Sequence, residues 1–296
     1  MRILRRFAVL SALVVLAGGA VAGPVSAAGD ASGSFTALTY NIAGLPDGLS
    51  SAPTPRAPAT TAIGGRLGPY DIVNVQEDFN YHSYLYGADA HPYRTPTSGI
   101  AGFGSGLNTL SAMPYDGLRR VTWDRCWIVE ADCLTPKGFT YARVRLAEGA
   151  ELDLYNLHAD AGDTDGDRDA RNAGYAQLTA FIRAHSAGRA VLVMGDTNAR
   201  YTTSGESIAA FASDNGLTDA WVKLVRGGAV PAPGSPTCEG QASASCEAID
   251  KVLYRDGDGV RLTATAYADD HDAFLDGDGV MLSDHDPISV RFDWSA

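Results

Sequence analysis

Lysine is nearly missing from this 296-residue chain, standing only at positions 137, 223 and 251, and the formal net charge is -12. Such a balance argues against non-specific binding to nucleic acid, which rests on many Lys and Arg contacts to phosphates. It leaves room for a nuclease whose cleft is locally basic or uses metal ions to meet the phosphate. The longest apolar run, Phe7 to Val21, is too short and too rich in small residues to span a bilayer. No repeat of solenoid or propeller period occurs, and no stretch has the composition of an interdomain linker, so one large domain is expected. Cysteine is limited to two near pairs, Cys126 with Cys133 and Cys238 with Cys246. Neither spacing resembles a zinc knuckle. An even count in an exported chain predicts disulfides, and of the three possible connectivities the two local loops are favoured.

Export itself is read from the first residues. Arg2, Arg5 and Arg6 precede the apolar run, and Val25-Ser26-Ala27 supplies a small-residue cleavage site. This is the pattern of a secretory signal peptide over residues 1–27, which leaves 28–296 as one folded domain; the protein is expected to be secreted, soluble and monomeric, without a transmembrane segment.

Strand-like runs recur through that domain. Phe35 to Tyr40, Asp71 to Val75, Gly104 to Ser111, Phe139 to Leu146 and Leu152 to Leu157 read as strands, the last two joined as a hairpin across Glu148-Gly149. Ala190 to Met194, Ile249 to Tyr254, Leu262 to Tyr267 and Pro287 to Phe292 continue the series. Helical periodicity appears after Pro58 to about Leu67, from Arg168 to His185, and from Glu206 to Asn215 with Gly216 as its cap. Many strands with few helices between them indicate a layered α/β protein with mixed sheets.

Five short polar clusters follow this frame in order: Tyr40-Asn41, Gln76-Glu77, Asn156-Leu157-His158, Gly195-Asp196-Thr197-Asn198 and Ser283-Asp284-His285. Four of them sit where an apolar run ends, a position from which strands aim side chains into a shared cleft. Glu77 suits a hard cation such as magnesium, which takes one or two carboxylates and leaves its other positions to water and phosphate; a helix cap near Tyr81 is the competing use. Asp196 can hold or activate a water, and Asn198 can bond a phosphoryl oxygen as charge builds on it; the alternative is an Asx turn closing the strand. His158 and His285 are the proton-transfer candidates. The histidines at 82, 91, 185 and 271 are assigned structural roles. The Asp-rich run from Asp163 to Asp169 fails as an EF-hand, because its sixth position is Arg168 instead of Gly, and reads as a solvated loop and helix cap, with a structural calcium site as the alternative.

Taken together with Gly106 to Ser111 before Met113-Pro114 and with Ile249-Asp250, these motifs resemble the endonuclease/exonuclease/phosphatase superfamily across nearly the whole of 28–296. The resemblance implies a DNase I-like four-layer α/β sandwich with two central mixed β-sheets. It implies Asn41, Glu77 and Asp284 around a divalent metal, Mg2+ with Mn2+ or Ca2+ as alternatives. His158 and His285 would flank the phosphate, with Asp250 orienting His285, Asp196 positioning the attacking water and Asn198 binding a phosphoryl oxygen. The segment Asp132-Cys133 followed by Lys137-Gly138-Phe139 is similar to one in sphingomyelinase-type members, although a plain turn is the alternative use of the Lys-Gly pair. A phospholipase C acting on phospholipid headgroups at a membrane surface is the resulting expectation. An extracellular endonuclease acting on nucleic acid is the alternative, and an inactive binding subunit the third reading. The segment Gly227 to Glu247 contains no aromatic residue, unlike the membrane-inserting hairpin of those relatives; Trp123, Trp127 and Phe139 are the substitutes on offer, with core packing as their competing use.

Overall fold

Side-chain alternation along the strands decides the architecture. In the computed structural model, which describes residues 31–99, 104–127, 132–238 and 243–296, β1 (Ser32–Asn41) sends Phe35 and Ala37 to one face and Leu38 and Tyr40 to the other, and all four are buried. A strand buried on both faces must have a layer on each side. Residues 1–27, expected to form a signal peptide, lie outside the described residues.

The other elements follow in order. α1 (Arg56–Arg66), β2 (Ile72–Gln76), α2 (His82–Ala88), β3 (Tyr93–Arg94) and β4 (Asn108–Ser111) complete the first half. Next come β5 (Tyr115–Thr122), β6 (Gly138–Ala147), β7 (Ala150–His158), α3 (Asp165–His185), β8 (Val191–Asp196) and α4 (Ile208–Asp214). β9 (Thr218–Asp219), α5 (Ala220–Leu224), β10 (Asp250–Arg255), β11 (Arg261–Asp269) and β12 (Ile288–Ser295) close the chain. Two six-stranded sheets result, ordered β11-β12-β1-β2-β4-β3 and β5-β6-β7-β8-β10-β9. Each is mixed, with one parallel pair: β1 with β2 and β7 with β8.

Three apolar layers bind the sheets and helices into a four-layer sandwich. Between the sheets lie Phe35, Ile72, Leu154, Leu192, Met194, Val252 and Phe292. Outside the first sheet, Ile63 of α1, Leu67 just past its end and Leu85 of α2 cover Leu38, Tyr40, Val73 and Val75. Outside the second, Tyr175, Leu178 and Ile182 of α3 and Phe211 of α4 cover Tyr155, Leu157, Val191 and Val193. No described helix is long and apolar enough to cross a membrane. Both local disulfides, Cys126–Cys133 and Cys238–Cys246, are formed.

Three local expectations are adjusted. The strand expected from Gly104 shrinks to β4, because Gly106 sits at φ +67 and a Cβ there would meet the Phe79 ring at 2.5 Å. α3 starts at Asp165, where Thr164 and Asp167 form a reciprocal capping box that uses the acidic run for helix initiation. Trp123 and Phe139 are core residues, while Trp127 is 37% exposed.

Toward one end the space between the sheets turns polar, and amides hold it together. Asn156 of β7 donates to the carbonyls of Val75 and Asn108, both at 3.0 Å, and accepts from Gln76 Nε2 at 2.8 Å. Asn74 of β2 donates back to the Tyr155 carbonyl at 3.0 Å and accepts from Thr109. Asn156→Ala strands these buried partners, and the expected loss is about 2–4 kcal/mol of unfolding free energy. Urea denaturation checks it: the midpoint falls while the slope stays constant.

Candidate active site

Because β1 runs parallel to β2 and β7 to β8, their C-terminal residues arrive at the polar end of the inter-sheet space. The stripe that carries Phe35 and Ala37 ends in Asn41; the stripe carrying Leu152 and Leu154 ends in His158; that of Leu192 and Met194 ends in Asp196. β10 is antiparallel to β8 and begins with Asp250, whose register partner is Asp196.

Glu77 extends β2 by one residue and adopts φ +56. Its carbonyl accepts the N–H groups of Gly44 and Phe79, and a Cβ on Gly44 would meet that carbonyl at 2.0 Å, so glycine is required for the approach. Glu77 caps nothing: the first residue of α2 is preceded by Tyr81 without a side-chain cap.

Asp196 is the hub. Its Oδ2 lies 3.1 Å from Asn41 Nδ2, 3.3 Å from His158 Nε2 and 3.7 Å from His285 Nε2. Its Oδ1 accepts the Asn198 N–H at 2.9 Å, so the Asx turn weighed against a catalytic role is formed by the same carboxylate. Asn198 lies beyond the strand at φ +49, and its amide donates to the Ala159 carbonyl at 3.2 Å. Asn41 Nδ2 also bonds Glu77 Oε1 at 3.1 Å, while its Oδ1 accepts the Ala43 N–H. His158 Nε2 is 4.0 Å from Glu77 Oε1. His285 Nδ1 meets Asp250 Oδ2 at 2.8 Å. Asp284 and His285 lie in the bend before β12 and not at its start. Asp284 is exposed at the edge, with Ser283 Oγ as its 3.4 Å donor. The structure therefore gathers Asn41, Glu77, His158, Asp196, Asp250 and His285 through direct contacts, with Asn198 and Asp284 at the margin.

The two site histidines are pushed in opposite directions. Burial holds His158 well below the ordinary imidazole range, helped by the nearby charges of Lys137 and His285. Burial acts the same way on His285, but Asp250 and Asp196 overcome it and hold that ring well above its ordinary value. Burial raises both Glu77 and Asp196. Buried carboxylates whose ionised form is disfavoured by desolvation match the needs of a hard cation, and oxygen donors from Glu77 and Asp284 are the right chemistry for magnesium. Ligand atoms of Asp196, Asp250 and His285 also lie within 4.8 Å of one another, but the Asp250–His285 bond marks that trio as a proton-handling group.

Sequence reasoning left two contributors out of the site. The Lys137 charge lowers Glu77, His158 and Asp196 alike, and its Nζ is 3.4 Å from the Ala159 carbonyl; the scarcity of lysine was the signal for it. Arg56, 1% exposed, donates to the carbonyls of Ile42, Ala43 and Leu282, tying the loop after Asn41 to the loop before Ser283. No motif announces it. The histidines at 82, 91 and 271 each pair with an Asp outside this cluster, and His185 stacks on Phe181.

Comparison with known proteins identifies the family and the fold. The model of endonuclease/exonuclease/phosphatase family 2 matches residues 62–233. Sphingomyelinases of Mycobacterium tuberculosis and Mycobacterium bovis are 45% identical over 273 residues, covering 90% of this chain. The chain spans about half (54%) of the length of those relatives. Among solved structures, sphingomyelinase C from Streptomyces griseocarneus matches with a TM-score of 0.60 at 21% identity, over 88% of this chain and 99% of that one. A Staphylococcus aureus beta toxin variant with bound magnesium ions matches at 0.63 and 17% identity, over 87% and 99%. At such identities these structures speak for a shared fold.

Proton accounting gives a direct check. In metal-free protein, NMR titration of the ring resonances should find His285 charged well past the usual pH of about 6.5, with Asp250→Asn lowering its midpoint. The sign follows from the folded value being raised: the stabilisation is complete below about pH 6.5 and disappears as pH climbs through the folded midpoint. His158 should stay neutral throughout.

Proposed function

The chain belongs to endonuclease/exonuclease/phosphatase family 2, and we propose that it is an exported, Mg2+-dependent phosphodiesterase of the sphingomyelinase type, cleaving a phospholipid at its headgroup phosphate. One observation carries the chemistry: a single buried carboxylate, Asp196, stands between two histidines whose charge states are driven apart, one of them backed by Asp250. Opposed environments around paired titratable groups are how a site divides acid and base work.

Asp196 and His285 are too close together, at 3.7 Å, to stand on opposite faces of a phosphorus under in-line attack. Both therefore serve the attacking side, where Asp196 positions a water and receives its proton, while Asp250 holds the charged His285 imidazole in place beside it. Asn198 and the neutral N–H of His158 donate to the phosphoryl oxygens, and Lys137 adds a positive charge. Glu77 and Asp284 would hold the magnesium ion, with Asn41 against Glu77. When bound, that ion supplies Lewis-acid relief of the negative charge that builds on the phosphoryl group. The bond formed joins the water oxygen to phosphorus; the one broken joins phosphorus to the lipid oxygen, which leaves as the alcohol by taking a proton from solvent, while Asp196 returns the attacking water's proton to solvent and the phosphorylated headgroup remains.

Lipid is favoured over nucleic acid as substrate by the net charge of -12 and by the 45% identity to proteins named sphingomyelinase. Residues 1–27 as a signal peptide and the two disulfides support an extracellular location.

Purified protein should release phosphocholine from sphingomyelin vesicles with Mg2+ and stop when the ion is chelated, with no nicking of plasmid DNA alongside. His285→Ala should lower kcat/KM by about 10²–10⁴-fold while the melting temperature holds. Full activity in that variant would refute the assignment.

A further inference from the structure

We infer that Lys251 and Glu247 are positioning residues for the reaction: a buried ion pair behind β10 that fixes Asp250 and Asn198 relative to each other without touching the substrate. The inference rests on the phosphodiesterase reading above, which gives Asp250 and Asn198 their work. Lysine is rare in this chain, and the one at 251 directly follows Asp250.

Strand alternation sends these two neighbours to opposite faces. Asp250 shares its face with Val252, which packs between the sheets; Lys251 shares its face with Leu253, which packs in the outer layer under α3 and α4. The ammonium therefore lies on the side of β10 away from His285. There Nζ donates to Glu247 Oε1 and to the Ala248 carbonyl, both at 3.0 Å, and stands 4.5 Å from the centre of the Tyr201 ring. Both side chains of the pair are shut away from water, 3% and 4% exposed. The Lys251 charge also reaches Asp219, opposing the rise that burial imposes on that carboxyl, and Asp219 accepts the Tyr201 hydroxyl at 2.9 Å.

Glu247 carries the link across to the loop after β8. Its Oε1 accepts the Tyr201 N–H at 2.5 Å, and its Oε2 accepts the Thr202 hydroxyl at 3.1 Å. The regular pairing of β8 with β10 stops at Asp196 and Asp250. Beyond it the two chain segments are joined by the Thr197 N–H on the Ile249 carbonyl, at 3.1 Å, and by the side chains of Thr197, Arg200 and Glu247. Asn198 and Asp250 sit at this border, one on each segment. A change in their separation would misplace the phosphoryl donor against the group that holds His285.

A buried ion pair is a poor way to gain stability, since apolar replacements of similar size often do as well or better. Its use here is geometric. One carboxylate takes the Lys251 ammonium, the Tyr201 N–H and the Thr202 hydroxyl at once, and so fixes the directions of three donors. An apolar pair would fill the same space and specify none of them.

Three proteins test this on sphingomyelin vesicles with Mg2+: the wild type, Lys251→Met, and the double variant Lys251→Met/Glu247→Gln, which leaves neither charge unpaired. Lys251→Met should lower kcat by about 10–100-fold with KM within about twofold, the pattern of misplaced groups and not of lost binding. The double variant should recover the melting temperature while its kcat stays at least about fivefold low. It decides the matter if the single variant fails to fold. Recovery of kcat together with the melting temperature would overturn the inference, as would a raised KM with kcat intact. The His285 Nδ1–H resonance of the metal-free protein, read at fixed pH, gives a measure apart from turnover. It should move or vanish in the double variant as Asp250 shifts, and an unchanged resonance would also overturn the inference. If the wild type cleaves no diester, the phosphodiesterase reading ends, while this resonance still decides whether the pair positions Asp250.

Discussion

Everything at this site depends on one packing constraint: the gap between two face-to-face sheets is closed by apolar side chains only part of the way along. Phe35, Leu154, Leu192 and Met194 fill it, and then the same inward-facing positions become Gln76, Asn156, His158 and Asp196. Side chains two residues apart on a strand share a face, so the stripe that builds the core also delivers the polar groups of the candidate site. The parallel pairing of β1 with β2 and of β7 with β8 makes four strands change character at one end. Antiparallel pairing there would have spread the polar ends over two edges.

Polar groups so deep must be satisfied, and the amide network between Asn74, Gln76, Asn108 and Asn156 does this while joining the sheets. It works like a floor under the site. Above it stand carboxylates that burial makes reluctant to ionise, held by Asn41, by two histidines and by the Lys137 charge. Arg56 shows the same logic applied to backbone. A guanidinium buried without an ion pair among the described residues is costly, yet all its bonds go to chain around the site: the carbonyls of Ile42, Ala43, Thr54 and Leu282 and the Thr54 hydroxyl. Its charge is the fastening between the loops that carry Asn41 and Ser283.

The sequence was legible where one rule governed. Long apolar runs located β1, β2, β7 and β8, and the polar residue at each end named Asn41, Glu77, His158 and Asp196. Periodicity found α3, and its acidic start was assigned to a cap, as Thr164 and Asp167 now show. What escaped was short or paired across distance. α2, α5 and β9 are too brief to carry a period, and β5 alternates poorly because much of it is exposed. Arg56 looks like any surface arginine in the sequence, since one partner carbonyl, Leu282, is more than two hundred positions away and the others are nearby backbone. The irregular pairing of β11 with β12 between Ala264 and Ala266 is also silent in the sequence.

Backbone conformation separates the site from the scaffold as clearly as charge does. Among the described residues, three that are not glycine adopt the left-handed region: Ala43, Glu77 and Asn198. Each lies one or two residues past the end of a strand that supplies the site. Such conformations cost on the order of 1–3 kcal/mol apiece and persist only where the surroundings enforce them. The enforcing contacts are visible: Ala43 N–H on Asn41 Oδ1, Gly44 N–H on the Glu77 carbonyl, and Asn198 N–H on Asp196 Oδ1. In two of the three, the enforcing acceptor is a site side chain, so chain direction and side-chain placement are fixed by one hydrogen bond. A strand continuing straight through these positions would carry the polar groups out into solvent. The turn keeps Glu77 and Asn198 at the rim, where oxygen and amide groups can meet a phosphate that the apolar gap itself could never admit.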